Sequence, residues 1–292
     1  MTRILITGRS GMLGREVEGA ARTQGHEVHG LDRTGPDPCD ITDAGAVHRR
    51  VAAVSPALII HTAAWTAVDA CETDPERADA VNGGGTAHVA RAAEAVGAHL
   101  VHVSTDYVFD GTKGAPYEED DEPRPRSAYG RSKLLGEQAV GPSHAVVRTS
   151  WLYGPVAPSI VATILRQLGG SAPLRFVDDQ IGNPTSATDL AGALLDLGLG
   201  GASGTWHVTN RGSASWWQLA REVARAAGED PDRIHPIATA DLDPPRAAIR
   251  PADSRLADDR WTRSGRAPLP DFRTTLERTV ASLQATGATA PR

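Results

Sequence analysis

Arg3-Ile4-Leu5-Ile6-Thr7-Gly8-Arg9-Ser10-Gly11-Met12-Leu13-Gly14 decides the fold. Ile4-Leu5-Ile6 is a short, continuous apolar run, as expected of a strand buried on both faces of a parallel sheet. Three glycines follow in G-x-x-G-x-x-G spacing, and from Met12 the apolar residues recur at helical intervals through Leu13, Val17 and Ala20-Ala21. A strand, a glycine turn and a helix start form an anion cradle. Gly8 permits the tight turn, Gly11 admits a pyrophosphate close to the backbone, and Gly14 lets helix and strand pack closely. The helix N-terminus adds free N–H groups and partial positive charge.

The same alternation runs outward from this start. Strands are expected at residues 27–31, 57–61, 100–104 and 145–149. Helices are expected at residues 43–54, with Thr42 or Asp43 as N-cap, and at 75–95 and 127–140. Gly83-Gly84-Gly85 interrupts the second of these and weakens it. Strand and helix taking turns over the first half means βαβ units and a doubly wound, Rossmann-type parallel α/β sheet. Ligands of such sheets bind beyond the C-terminal strand ends, where residues 8–14, 62–69 and 104–111 lie. Past residue 150 the pattern loosens into helices at 160–168, 187–197, 215–227 and 272–283, with short strands at 174–177, 205–208 and 234–237. Residues 1–150 therefore read as a dinucleotide-binding domain and 151–292 as a smaller α/β substrate lobe, some of whose segments return to the sheet. Residues 241–251 read as a long loop, and the last eight residues as frayed.

Composition narrows the class. With 30 basic and 36 acidic residues among 292, the formal charge is −6, and 40% of residues are apolar. A charge-dominated disordered chain is excluded, and a dedicated nucleic-acid binder is disfavoured. No basic and apolar leader followed by a cleavage site opens the chain, and no apolar run is long enough to span a membrane. Cys39 and Cys71 lack metal-type spacing and read as reduced thiols, so the expected compartment is the cytoplasm. The pairs His26/His29 and His99/His102 flank or lie in strands, which splits each pair between faces; no metal site is expected.

Tyr129 and Lys133 carry the most specific chemistry. They stand four apart at the start of a helix, on one face. A phenol with an ordinary pKa near 10 is a poor acid at neutral pH, and a nearby ammonium lowers that value. Ser104-Thr105-Asp106, closing the fourth strand, supplies a hydroxyl suited to bonding a reacting oxygen. Asp32 at the second strand end suits adenosine ribose hydroxyls and favours NAD, whereas adjacent Arg33 suits a 2′-phosphate and favours NADP. Both are present, and the choice stays open.

With these residues in place the chain resembles the extended short-chain dehydrogenase/reductases and, within them, the dTDP-4-dehydrorhamnose reductases. The resemblance spans nearly the whole chain. Its strongest segments are Ala63-Ala64-Trp65-Thr66-Ala67-Val68-Asp69, Ser104-Thr105-Asp106-Tyr107-Val108-Phe109-Asp110-Gly111, Tyr129-Gly130-Arg131-Ser132-Lys133, Arg148-Thr149-Ser150-Trp151-Leu152-Tyr153-Gly154 and Arg250-Pro251-Ala252-Asp253. It implies an NADPH- or NADH-dependent reduction of the C4 carbonyl of a dTDP-4-keto-6-deoxyhexose. Gly8, Gly11, Met12, Leu13 and Gly14 would hold the pyrophosphate. Asp32 and Arg33 would meet the adenosine ribose, and Asp40 and Ile41 would border the adenine. Ala63, Ala64, Trp65 and Thr66 would line the nicotinamide side. Tyr129 would donate the proton, and Lys133 would bind the nicotinamide ribose and lower the Tyr129 pKa. Thr105 and Asp106 would contact the sugar, Trp151 would flank the sugar nucleotide, and Arg250 could pair with its diphosphate. The phenol replaces a Lewis acid, so no metal is called for. The partner is a dTDP-sugar, and the protein is expected as a monomer or homodimer.

The chain departs from the family pattern after Gly154. Pro155-Val156-Ala157-Pro158-Ser159-Ile160 stands where a glycine-rich, Asn-Phe-containing stretch is usual, which leaves the exact sugar open. A reductase for a secondary-metabolite deoxysugar, such as a dihydrostreptose synthase, is the alternative. A 4,6-dehydratase would carry Glu where Tyr107 stands, and a non-catalytic NADP-binding subunit would have no need of intact Thr105, Tyr129 and Lys133. Two further expectations concern structure alone: one of Trp216 and Trp217 is core, and Glu118–Glu122 is a solvated loop able to move as a lid.

Overall fold

A computed structural model describes residues 1–35, 38–156, 158–170 and 172–286. The strands are β1 Arg3–Thr7, β2 Glu27–Leu31, β3 Leu58–His61, β4 His99–Thr105, β5 Ala145–Thr149, β6 Leu152–Tyr153, β7 Leu174–Val177, β8 Ile181–Gly182, β9 Thr185–Ser186, β10 Gly204–His207, β11 Ala214–Ser215 and β12 Ile234–Ile237. The helices are α1 Met12–Thr23, α2 Ala44–Val54, α3 Val68–Thr73, α4 Pro75–Ala78, α5 Gly85–Val96, α6 Ala128–Gln138, α7 Ile160–Leu168, α8 Ala187–Leu199, α9 Trp216–Ala227, α10 Asp259–Arg263 and α11 Phe272–Ala285.

Six parallel strands form the main sheet in the order β10-β5-β4-β3-β1-β2. Strand order reverses between β1 and β3, where Thr7 stands opposite His61, and this is the crevice in which such sheets bind ligands. Ile4, Ile6, Ile60 and Val147 face α1 and α8 in one buried layer, while Leu5, Ile59 and Leu100 face α2 and α5 in the other. Burial on both sides explains why these strands read as unbroken apolar runs. β10 joins the sheet from the second half of the chain, beside β5. A separate core, centred on Tyr153, Ile164, Leu219, Phe272 and Leu276, holds α7, α9 and α11 together.

The helix expected over residues 75–95 is built differently. Helix α4 passes into a π-helical stretch, Asp79–Gly84, before α5. The glycines allow this because α6 crosses here at close range. A Cβ on Gly83 would stand 3.0 Å from that of Leu135, and one on Gly136 would stand 2.6 Å from the Asn82 carbonyl oxygen. Short π segments recur at functional sites, and here the turn aims Asn82 inward. The segment over residues 62–69, read as a strand-end loop, contains the start of α3.

Two other expectations are corrected. Neither Trp216 nor Trp217 is fully buried; both pack half-buried against the second core. Glu119 is not solvated: it is 7% exposed, and its Oε1 accepts from the backbone N–H groups of Arg260 at 3.2 Å and His207 at 3.4 Å. The acidic run is thus anchored at its second residue, because burying Glu119 without those donors would be costly. Neither Cys39 nor Cys71 forms a disulfide. No helix among the described residues is long and apolar enough to cross a membrane. The frayed end expected at the C-terminus falls mostly outside the described residues, as does Ala157 of the proline-containing loop.

Candidate active site

The glycine turn closes against two neighbours. Gly8 takes φ +69°, and a Cβ there would sit 2.9 Å from the backbone N of Ala63. A Cβ on Gly14 would lie 2.2 Å from the Gly8 carbonyl oxygen. Any side chain at either position would push apart the loop, β3 and α1. Asp32 Oδ1 accepts from the Ser10 N–H at 2.9 Å and the Ser10 hydroxyl at 2.8 Å, tying the loop to the end of β2. Helix α1 starts at Gly11 with no side-chain cap, so its first N–H groups are left for a ligand.

One cavity of about 470 Å³ opens at the reversal of strand order. Of the residues selected from sequence, Gly8, Gly11, Met12, Leu13 and Gly14 form its floor, Ala64 and Thr66 one wall, and Thr105, Asp106, Tyr129, Lys133 and Trp151 the other. Asp32, Arg33, Asp40, Ile41, Ala63, Trp65 and Arg250 lie outside it. Ile41 is a core residue against Gly85, Asp40 closes a turn on Thr42, and Arg33 is exposed. The Trp65 backbone is clamped by Asn82, whose side chain accepts from its N–H at 2.8 Å and donates to its carbonyl at 3.1 Å. Asn82 also donates to the Ser132 hydroxyl at 2.9 Å, so loop and α6 are held by one amide.

α6 begins at Ser127, whose hydroxyl accepts the Gly130 N–H at 3.0 Å. This fixes the helix one residue before Tyr129 and sets its turn. The Tyr129 ring meets the Tyr107 ring edge-on at 5.8 Å. Burial, reinforced by the charge of Asp106, pushes the Tyr129 phenol well above its ordinary value, and the neighbouring Thr105 hydroxyl opposes the shift only in part. Lys133 does not offset this, contrary to the expectation from spacing. Its ammonium turns inward to donate to the Val103 carbonyl at 2.7 Å, and burial pushes its pKa down to about 8. Thr105 donates to Asp106 Oδ1 at 2.9 Å and Ser254 to Oδ2 at 2.5 Å. Burial nevertheless raises the Asp106 carboxyl to about 7, since two hydroxyl donors compensate incompletely for lost water.

Trp151 stands in the left-handed region at φ +47°, an uncommon conformation for a large side chain. Its indole lies parallel to that of Trp216, with centroids 3.6 Å apart. A Cβ on Gly182 would strike the Trp151 ring at 2.5 Å. Sequence reasoning missed Trp216 as a lining residue, since it arrives from α9, which packs in the separate core of α7 and α11. It also missed Thr149 and Ser150, although the strand-end rule that selected Thr105 applies equally at the end of β5. The Thr149 hydroxyl is buried at the cavity wall without a hydrogen-bond partner.

A second cavity of about 350 Å³ adjoins the first, sharing Ile160 and Trp216, and brings in Arg175, Arg246 and Arg250. Arg250 is held in a two-pronged pair with Asp69, at 3.0 and 2.6 Å, and donates to the Ala248 carbonyl at 3.2 Å. Hydrogen bonding to that guanidinium holds the Asp69 carboxyl down to about 2.

The fit to a dinucleotide rests on three features. The glycine cradle would be filled by any added Cβ, the start of α1 is uncapped, and an orphaned hydroxyl faces the cavity. Such a cofactor would lie along Gly11–Leu13 toward Lys133.

Comparison with known proteins agrees with this arrangement. The family model described as RmlD substrate binding domain matches residues 1–285. A dTDP-4-dehydrorhamnose reductase of Streptomyces griseus is 43% identical, over 96% of this chain and 94% of its own length. A probable dTDP-4,6-dihydroxy-2-methyloxan-3-one 4-ketoreductase of Streptomyces antibioticus is 42% identical, over 94% of this chain and 93% of its own. The crystal structure of dTDP-4-dehydrorhamnose reductase from Bacillus anthracis, in complex with NADP, superposes with a TM-score of 0.90 at 34% identity, covering 96% of this chain and 99% of that one.

Proposed function

This chain belongs to the family of the RmlD substrate binding domain, and from that premise we propose that it is an oxidoreductase that uses NADPH or NADH to reduce the C4 keto group of a dTDP-4-keto-6-deoxyhexose, dTDP-4-dehydro-L-rhamnose to dTDP-L-rhamnose. The observation that carries the reading is the meeting of Thr105, Tyr129 and Lys133 in the cavity floored by the glycine turn. NADP in the Bacillus anthracis structure favours NADPH of the two cofactors.

The nicotinamide cofactor supplies a hydride when bound. The remaining work falls to side chains of this chain. Tyr129, with Thr105 turning its hydroxyl proton from Asp106 to the substrate, would bracket the carbonyl oxygen and stabilise the negative charge that grows on it, and Tyr129 would give it the phenolic proton. A raised phenol pKa suits this direction, because Tyr129 stays protonated at neutral pH and a nascent alkoxide is more basic still. Lys133 would hold the cofactor ribose through its ammonium. The parallel indoles of Trp151 and Trp216 offer a flat apolar face to the sugar. Arg250, preset by Asp69, with Arg175 and Arg246 beside it, gives the second cavity the charge and forked donors that a diphosphate accepts. Substrate thus spans both cavities, in a protein placed in the cytoplasm and working as monomer or homodimer.

The test is an absorbance assay at the wavelength of reduced nicotinamide, with NADPH or NADH and dTDP-4-keto-6-deoxy-L-lyxo-hexose made in situ. Cofactor oxidation with dTDP-L-rhamnose as product supports the reading, and none with either cofactor refutes it. A second reading, reduction of a secondary-metabolite 4-keto sugar, is favoured by the Streptomyces antibioticus relative and by the proline-containing loop before α7. Faster turnover of such a sugar would establish it. The dehydratase reading has no carboxylate at Tyr107 to support it.

A further inference from the structure

Behind Lys133 lies a buried pair of imidazoles that the reaction above does not use. His102, on β4, is wholly buried, and its Nε2 lies 3.4 Å from the Lys133 ammonium. Its other ring nitrogen, Nδ1, is buried with no partner. The ring stacks on that of His61, at 5.1 Å and 28°. His61 is bonded at both ends, to the Thr7 hydroxyl at 2.6 Å and the Thr86 hydroxyl at 3.1 Å.

Hydrogen bonding fixes the proton positions. The Thr86 hydroxyl spends its one proton on the Asn82 carbonyl at 2.6 Å, so it accepts from His61 Nε2–H, and His61 Nδ1 accepts from Thr7. An ammonium has donors only, so His102 Nε2 accepts from Lys133 and its proton sits on Nδ1. The two stacked rings therefore carry opposite tautomers. Leaving a buried N–H orphaned costs about 1–3 kcal/mol, and a purely structural core residue gains nothing from that cost.

We infer that His102 is a positioning residue for Lys133: its Nε2 is the acceptor that, with the Val103 carbonyl, fixes the direction of the ammonium and keeps it charged for the cofactor ribose. This rests on the reading of Lys133 as a cofactor ligand. The other titratable and charged groups around Lys133 are Tyr129 and Glu137 on its own helix, His61 on β3, Asp106 beyond the end of β4, and Arg148 on β5. Of these, Glu137 stabilises the ammonium and is itself paired with Arg148. His61 bonds Thr7 and Thr86 instead, and among the described residues only His102 and the Val103 carbonyl hydrogen-bond Lys133 Nζ.

The experiment is NADPH binding to the full chain across pH, followed by nucleotide fluorescence, in wild type, His102→Leu and His102→Gln. Loss of the acceptor in His102→Leu should move the alkaline midpoint of binding down by about one unit, which at pH 8 is about a fivefold weaker Kd. The Gln amide oxygen should restore the midpoint. A folded His102→Leu with the wild-type midpoint overturns the inference, as does a His102→Gln shifted as far as His102→Leu. If neither variant folds, ¹⁵N-histidine NMR of the wild type decides, with one Nδ1–H and one Nε2–H tautomer expected for the stacked pair. Nε2–H on His102 overturns the inference. Should wild type bind NADPH with the stated variant shift yet reduce no 4-keto sugar, the functional reading fails and this inference stands.

Discussion

The indoles of Trp151 and Trp216 lie 3.6 Å apart with 4° between their planes, one from the loop after β5 and the other from the first turn of α9. Stacked aromatics contribute about 0.5–1.5 kcal/mol beyond area burial. Trp216→Leu should therefore raise the KM for the sugar nucleotide about three- to tenfold while leaving the KM for NADPH unchanged. Steady-state kinetics with each substrate varied in turn would check this, and a change confined to NADPH would contradict it.

Tyr129 is placed as the proton donor. Tyr129→Phe keeps the ring and its packing and removes only the hydroxyl. Turnover should fall about 10²- to 10⁴-fold, with NADPH affinity near wild type by fluorescence titration.

Lys133 sets the alkaline limit. Burial lowers its pKa to about 8, below the ordinary lysine value, so the ammonium is present at neutral pH and is lost as pH rises through about 8. The KM for NADPH should rise above that pH, and Lys133→Arg, which cannot lose its charge in this range, should remove the dependence. The sign for stability is the reverse. Folding favours the neutral amine, so this residue's unfavourable contribution eases as pH climbs from about 8 toward the unfolded value.

Asp69 and Arg250 form a presetting pair. Arg250→Ala removes the guanidinium beside the second cavity, whose remaining N–H donors could each give a charge-assisted bond worth about 1.5–3 kcal/mol, and should raise the sugar-nucleotide KM at least tenfold; an unchanged KM would remove Arg250 from the substrate site. The pair also affects acid stability. The Asp69 carboxyl is held down to about 2, so its contribution is present above about pH 4 and disappears as pH falls through 2. The acid limb of thermal stability in Asp69→Asn should be flatter than in wild type.

Glu137 and Arg148 are 7% and 5% exposed at their side chains and pair at 2.8 Å. Breaking a buried pair from one side strands a charge and costs about 3–5 kcal/mol. Arg148→Met should lower stability to urea by that order, and Arg148→Met with Glu137→Leu should recover part of it.

Much of this was legible in the sequence where local rules suffice. The apolar run Ile4–Ile6, the glycine spacing and the cap residues Asp43, Ser127 and Ser215 each report an element through contacts within a few residues. The strand-end rule selected Thr105 and Asp106 and would have found Thr149 had it been applied to β5. What was not legible depends on distant partners. Nothing local says that Lys133 turns toward the Val103 carbonyl rather than toward Tyr129, or that Glu119 is buried on the N–H groups of Arg260 and His207. Trp216 joins the site only because α9, packed in the separate core with α7 and α11, reaches the cavity. The triplet Gly83–Gly85 reads locally as a helix breaker because its reasons are distant: Gly83 lies under α6, about fifty residues downstream, and Gly85 packs against Ile41, more than forty residues upstream.

The π-helical turn at Asp79–Gly84 has a consequence for how this sequence can vary in length. A π turn holds one residue more than the α turn it replaces, and each helical residue advances the side chains by about 100°. Removing any one residue between Asp79 and Gly84 would let the helix relax into plain α geometry and swing α4 with the residues before it around the axis relative to α5. Asn82 would lose Trp65, Ser132 or both, and the loop lining the cavity would drift away from α6. Surface loops elsewhere in the chain can gain or lose residues at little cost, whereas this segment has a fixed count, and homologous genes that shorten it by a single codon should have lost the geometry that couples Trp65 to the helix bearing Tyr129.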